Sequence, residues 1–201
     1  MISELRHALF FPCLATGVFL AVALYLRAYR LYNLTIHDRI PYLQKPKLSE
    51  MTEMLDPDHD TDFREVLPPR RFRDLQRRRI GSALEFIRQV TRNASCLRGL
   101  GWYELRRSIL LSRYRDLRLI SHKLLMSAFY CQVLGCRLQM KLYFWLLRMA
   151  VVPMVAPPDF DALVESGSGN LIFLYRRARR AALRLARSYG DHVYSRMAEV
   201  L

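Results

Sequence analysis

The chain has 201 residues, a formal net charge of +14 and a hydrophobic content of 52%. That hydrophobic content is enough for a buried core, so the composition excludes a chain that is disordered throughout. The charge is uneven, because residues 1–69 carry a net charge of −2 and residues 70–201 one of +16. Of the 32 basic residues 28 are arginine, a bias that suits phosphate or carboxylate partners and that a GC-rich coding sequence also produces.

An apolar segment near the start is the strongest signal in the sequence. Residues 8–26, ALFFPCLATGVFLAVALYL, contain no charged residue. As a helix they would span about 28 Å, close to the thickness of a hydrocarbon core. Tyr25 near the end of this segment and Tyr29 and Tyr32 after it are interleaved with Arg27 and Arg30, as is typical of a membrane interface. The pattern predicts a membrane anchor over residues 1–32, with its span near residues 8–26.

Two other interpretations of this segment compete with a membrane anchor. A cleaved signal peptide could use the small residues at 21–23, but its basic region would have only Arg6 against Glu4. A buried core helix is the other alternative, and 19 uncharged residues exceed what most core helices contain. Because Lys and Arg are more numerous after the span than before it, we expect the N-terminus outside and the remainder in the cytoplasm.

Residues 33–69 are predicted to form a Pro-rich acidic linker. They contain five of the nine prolines, and proline at this density interrupts helices. The segment 36–48 is expected to be an irregular strap on the surface. Four aspartates further on have the alternating spacing that begins a calcium loop, Asp56, Asp58, Asp60 and Asp62. The sixth position of that loop is Thr61 instead of glycine and the twelfth is Leu67 instead of glutamate. We therefore interpret the cluster as a charged connector and predict no metal site.

Residues 70–201 are predicted to form a basic helical domain. Apolar residues recur at helical spacing in its first part, at Ile80, Ala83, Leu84, Ile87, Val90, Ala94 and Leu97. Gly99 and Gly101 are expected to end that helix, with a second helix beginning near Trp102.

The segment from 119 to 158 is strongly apolar, which raises the question of a second membrane crossing. Arg137, Lys141 and Arg148 interrupt it and fall within about 40° of one another on a helix. Each would cost about 2.5–3.5 kcal/mol at a bilayer centre. We therefore expect a helix that packs in a bundle or lies on a surface, with a second crossing as the alternative.

The last long helix is the most regular. Its predicted core face contains Leu171, Tyr175, Ala178, Ala182, Leu185 and Tyr189. The opposite side carries six arginines, Arg176, Arg177, Arg179, Arg180, Arg184 and Arg187. Gly190 is expected to end the helix, and Asp191 to cap a short final one. The arginine side is either a solvated surface or a partner-binding face for anionic lipid headgroups or an acidic protein.

The sequence thus predicts an all-α protein with one N-terminal transmembrane helix, a Pro-rich linker and a bundle of about four amphipathic helices. No catalytic, cofactor-binding or metal-ligating motif is found, and the four cysteines, at 13, 96, 131 and 136, are interpreted as small buried hydrophobic residues. The favoured function is a membrane-anchored module that binds a protein or anionic lipid. The alternatives are a nucleic-acid-binding protein, supported by 14 basic residues against four acidic in 70–120, and an enzyme whose site is assembled from distant residues. The sequence does not specify an oligomeric state.

Overall fold

The computed structural model describes residues 34–46, 63, 66–110, 115–151 and 167–201. Every regular element in this part of the chain is helical, which confirms the all-α class. A short helix α1 and a 3-10 turn are followed by two long helices and two shorter ones. Their bounds are α1 Ile36–Arg39, the 3-10 turn Ile40–Tyr42, α2 Pro69–Leu110, α3 Arg115–Val151, α4 Gly169–Arg187 and α5 Asp191–Val200.

The two long helices form an antiparallel hairpin. At 42 and 37 residues they are about 63 Å and 55 Å long. Contacts between them are evenly spaced along both helices: a side chain on Gly101 would meet Leu125, and one on Gly135 would meet Thr91. Near the open end, Arg77 donates a hydrogen bond to the carbonyl of Met149 at 3.2 Å. The hairpin therefore stays closed over almost its whole length.

Helix α2 continues through Gly99 and Gly101, so the prediction that these glycines end it is wrong. A Cβ on Gly101 would lie 2.9 Å from the backbone nitrogen of Leu125. A Cβ on Gly99 would lie 2.3 Å from a guanidinium nitrogen of Arg39. Both glycines are explained by the close approach of neighbouring elements, which glycine permits because it has no side chain.

The predicted apolar faces of α2 and α4 are confirmed. All seven apolar residues predicted for α2, from Ile80 to Leu97, are buried. Five of the six predicted for the core face of α4, from Leu171 to Leu185, are also buried, and the sixth, Tyr189, is half-buried and follows the end of the helix. They meet α3 in two adjoining clusters, one around Tyr175 and Leu142 and the other around Leu185 and Leu124. Both clusters contain residues of the hairpin and of α4, so the apolar side of α4 packs against the hairpin along its length.

The strap of residues 34–46 differs from the prediction of an irregular surface segment. Ile36, Ile40 and Leu43 are buried in the same cluster as α4 and α5. Arg39 is 2% exposed and donates hydrogen bonds to the carbonyls of Leu34 and Cys96, at 3.0 and 3.2 Å. The strap is therefore part of the helical module.

A buried amide fixes the strap to α2. The Asn93 side chain accepts a hydrogen bond from the backbone N–H of Gln44 at 3.0 Å and donates one to its carbonyl at 2.5 Å. The same amide nitrogen donates to the hydroxyl of Tyr175 at 2.9 Å. Asn93 is fully buried, so one side chain joins the strap, α2 and α4.

Smaller differences concern the end of the chain and the cysteines. Asp191 is the first residue of α5, and Gly190, at φ 110°, occupies the cap position predicted for Asp191. Cys131 is buried and Cys96 half-buried, but Cys136 is exposed, contrary to the prediction of a buried residue. Burial raises the pKa of the Cys131 thiol to about 12, which makes it a poor nucleophile.

Two predicted features lie outside the described residues: the apolar segment near residues 8–26 and the aspartate cluster of residues 56–62. Within the part of the chain that the structure describes, no helix combines the length and the hydropathy needed to cross a membrane.

Candidate functional site

The outward side of α4 is the arginine face predicted from the sequence. Five of its members are exposed and Arg179 is half-buried; the five are Arg176, Arg177, Arg180, Arg184 and Arg187. The Arg187 guanidinium lies 4.6 Å from the centre of the Tyr194 ring in α5. The buried side of α4 consists of Leu, Tyr and Ala, so the five exposed arginines lie away from the core and Arg179 lies at its margin. They form a continuous cationic surface about 17 Å long, from residue 176 to 187.

Helices α3 and α4 share an unusual distribution of charge. After Asp116, the described residues 117–151 and 167–187 contain five basic residues in α3 and six in α4, without one Asp or Glu. Exposed basic residues on soluble proteins are ordinarily interspersed with acidic ones. A surface of a single sign attracts an oppositely charged partner over roughly a Debye length, about 8 Å at physiological salt.

The outer face of α3 is a second candidate surface, which the sequence analysis does not predict. It is a row of large apolar side chains interrupted by one arginine at position 137. Its members are Met126, Tyr130, Val133, Met140, Phe144, Leu147 and Val151, with Phe129 beside them. Met140, Phe144 and Leu147 are 67, 62 and 61% exposed. The row runs for about 37 Å along the helix, which is far more than singly scattered surface hydrophobic residues.

One basic side chain, Arg137, lies within this apolar row, and two others, Lys141 and Arg148, lie along one edge of it. Arg137 and Arg148 are exposed, and Lys141 is half-buried with its Nζ 5.2 Å from the centre of the Trp145 ring. The prediction that these three residues share one side of the helix is therefore consistent with the structure. On the other edge, Arg88 of α2 donates a hydrogen bond to the hydroxyl of Tyr143.

An open groove joins the outer face of α3 to α4. Its volume is about 460 Å³ and its lining is mostly apolar, from Tyr130, Val133, Leu134, Phe173 and Leu174, with Arg137 and Asn170 as the polar members. Phe173 is 56% exposed. It lies on the same side of α4 as the arginine face, one turn before Arg177. The apolar row and the arginine face are thus parts of one surface.

A polar cluster holds the far end of α4 in place. Tyr189 donates a hydrogen bond to the carboxylate of Glu104, which is 3% exposed, and accepts one from Arg107 at 2.9 Å. Burial, together with the Glu104 carboxylate, raises the pKa of Tyr189 well above its usual value. Because α2 and α4 are linked here and at Asn93, the arginine face is carried on a helix fixed at both ends.

The described residues do not include a cluster that could hold a metal ion. Among them no three or more His, Cys, Asp or Glu side chains converge on a point that could hold a metal ion. His37, His122 and His192 are exposed and belong to three different helices.

Sequence reasoning identified the arginine face but not the outer face of α3. The sequence of α3 does contain a signal for this face, because its apolar residues form two stripes. One stripe, at positions 124–149, lies in the core, and the other, at positions 126–151 in steps of four and three, is exposed. A helix that is apolar on most of its circumference has more apolar surface than its neighbours bury.

Comparisons of the chain with models of protein families, with curated proteins and with solved structures find no match.

Proposed function

We propose that this chain is a single-pass membrane protein whose helical module binds anionic lipid headgroups on the cytoplasmic side of the membrane. The anchor is the uncharged segment of residues 8–26, and the N-terminus lies outside. In this proposal the arginine face of α4 is the lipid-binding element, and its role is attachment or scaffolding without a chemical reaction.

The observation that carries the proposal is the arginine face together with the absence of carboxylates from residues 117–151 and 167–187. A guanidinium presents several N–H donors to a phosphate. Each basic residue near an anionic surface contributes about 1 kcal/mol of binding. The five exposed arginines of α4 therefore supply enough attraction to hold the module on a membrane surface that contains anionic lipid.

The orientation follows from the distribution of basic residues. Arg27, Arg30 and Arg39 follow the apolar segment, whereas only Arg6 precedes it. Basic residues close to a span remain preferentially in the cytoplasm, where the leaflet also carries the anionic lipid. The proposed orientation thus places the arginine face on the side where its ligand is found.

The anchor and its orientation are tested by fractionating cells that express the full chain. We expect the protein in the membrane fraction, resistant to high salt and released by detergent. Protease added on the cytoplasmic side should digest the helical module, and protease added outside should leave it intact. A freely soluble full chain, or one shortened at its N-terminus and exported, contradicts the proposal.

The lipid specificity is tested with the fragment 33–201. We expect it to sediment with vesicles of phosphatidylglycerol and phosphatidylcholine, but not with phosphatidylcholine alone, and to be released by salt. Binding to duplex DNA with a steep salt dependence, and no binding to either vesicle, would instead favour the nucleic-acid alternative.

A further inference from the structure

We propose that the outer face of α3 lies along the membrane surface, with its apolar side chains inserted at the boundary between the headgroups and acyl chains of an anionic bilayer. The inference rests on the proposed function, because the anchor is what brings the module to the bilayer. It goes further by assigning which side of the module faces the membrane and by giving the apolar row a partner.

The first argument is the composition of the face. Helices that lie in a membrane interface bury large apolar residues about 5–10 Å deep and carry Lys or Arg beside them. The outer face of α3 has this arrangement, with Phe144, Leu147 and Met140 in the row, Arg148 exposed along its edge and Arg137 exposed within it. Long basic side chains extend back to the headgroups while their stems remain among apolar neighbours.

The second argument is charge complementarity, which distinguishes a bilayer from a second copy of the chain. A second copy packed on this row would place Arg137 and Arg148 of both copies in one interface, and α3 has no carboxylate after Asp116 to pair with them. Like charges brought together in this way oppose association. Anionic headgroups supply negative charge to Arg137 and Arg148, and the acyl region receives the apolar side chains of the row.

The third argument is the length of chain between the anchor and the module. Ile36 is the first buried residue of the strap and follows the last residue of the proposed span, Leu26, by ten positions. Ten residues reach at most about 36 Å even when fully extended. Because Arg39 and Asn93 fix the strap to α2, the whole module is held beside the membrane.

The fourth argument is continuity. The groove between α3 and α4 extends the apolar row to Phe173, and Phe173 shares its side of α4 with Arg177 and Arg180. A bilayer that contacts the row also meets the arginine face. One surface therefore combines apolar insertion through α3 with headgroup binding through α4.

The test measures the depth of single labels on the full chain in nanodiscs. Nitroxides are attached to Val133→Cys and, separately, Phe144→Cys, in a background with Cys13→Ser, Cys96→Ala and Cys136→Ser. A matched control is Ser82→Cys, an exposed position on the side of α2 away from its core. The discs contain either phosphatidylglycerol mixed with phosphatidylcholine or phosphatidylcholine alone, and collisions with oxygen and with a water-soluble nickel chelate are compared.

We expect oxygen collisions at positions 133 and 144 to rise severalfold relative to nickel collisions in the anionic discs, and the Ser82→Cys label to remain in water. The proposal is overturned if the labels at 133 and 144 are as accessible to nickel as the control. It is also overturned if oxygen and the nickel chelate are both excluded from these labels, and equally so in discs and in detergent. That result would mean that protein, and not lipid, covers the face. Dipolar broadening between labels would identify that protein as a second copy.

The two proposals fail in different ways. If replacing the α4 arginines abolishes the preference for anionic lipid while the labels on α3 stay in water, the proposed function stands and this inference falls. If the full chain is not membrane-bound at all, the proposed function falls, and the inference falls with it.

Discussion

At the scale of single residues, the module depends on a few buried polar groups whose hydrogen bonds connect different helices. Asn93 is the most connected, since its amide pairs with both backbone groups of Gln44 and with the Tyr175 hydroxyl. Its position within an apolar helical stripe gives no indication of this role. A buried polar group stabilises a fold only while its partners are present.

Asn93→Ala should destabilise the module by about 1–3 kcal/mol, because it leaves buried partners without their hydrogen bonds. The measurement is urea unfolding of the fragment 33–201. Arg92→Gln, a neighbouring exposed position on α2, is the control and should change the free energy of unfolding by less than about 0.5 kcal/mol. An Asn93→Ala variant as stable as this control would show that the strap is not fixed to α2 as described.

The second prediction at this scale concerns alkaline pH. Burial raises the pKa of Tyr175 from 10.0 to about 12. Between these values the unfolded chain has released the tyrosine proton while the folded chain retains it, so stability should fall as the pH rises from about 10 to about 12.

Tyr175→Phe removes this titration but keeps the ring, so its stability should decline less over the same pH range than that of the unmodified fragment. The comparison requires unfolding curves of both proteins at several pH values. Equal declines would contradict the assignment of the raised pKa to Tyr175.

At the scale of elements, α2 shows how one residue type fulfils different roles in a single helix. Gly99 and Gly101 permit close approach of Arg39 and of the α3 backbone. Gly81 is exposed, and a Cβ there would meet no atom within 4 Å. Sequence alone does not distinguish these glycines, because the difference lies in the neighbouring elements.

Gly81→Ala should therefore stabilise the fragment by about 0.5–1 kcal/mol through reduced chain entropy and better helix propensity. Gly101→Ala should destabilise it, because the new Cβ would lie 2.9 Å from the Leu125 backbone nitrogen, which cannot move like a flexible side chain. Thermal unfolding of the pair provides the measurement, with each variant as the control for the other. Opposite signs are expected, and a stabilising Gly101→Ala would refute the close approach of α2 and α3.

How well each element can be predicted from the sequence also depends on whether its neighbours or its own residues determine it. Residues with regular helical spacing, such as Ile80, Ile87 and Leu171, were assigned to the core from the sequence and are buried. The continuation of α2 through Gly99 and Gly101 was missed, because helix propensity is local whereas the α2–α3 contact joins distant residues. The burial of Ile36 and Ile40 was missed for a similar reason, since prolines nearby suggested a surface strap.

At the scale of the whole molecule, charge and apolar surface are segregated. The arginine face can be predicted from the sequence, because its residues lie on successive turns of one helix. Its continuity with the outer face of α3 depends on the packing of α4 against α3 around Cys131, Leu138 and Tyr175, which no single helix pattern specifies.

Replacing three arginines on α4 should weaken binding of the fragment to anionic vesicles. The three substitutions are Arg177→Gln, Arg180→Gln and Arg184→Gln. At about 1 kcal/mol per residue, the affinity should fall about one hundredfold. The control carries the same change in charge on the outward side of α2, as Arg71→Gln, Arg78→Gln and Arg92→Gln. Sedimentation of both variants with the same vesicles distinguishes the surfaces. Equal losses would mean that total charge, and not the arginine face, governs binding.

The bond between Asn93 and the strap also restricts covalent modification. Asn93, Ala94 and Ser95 form an acceptor sequence for N-linked glycosylation. Transfer of a sugar to the amide nitrogen would replace one of the two hydrogens that it donates to Gln44 and Tyr175, and would require space that those residues fill. A chain glycosylated at this position before folding could not close the strap over α2, and the folded chain conceals the acceptor from the transferase.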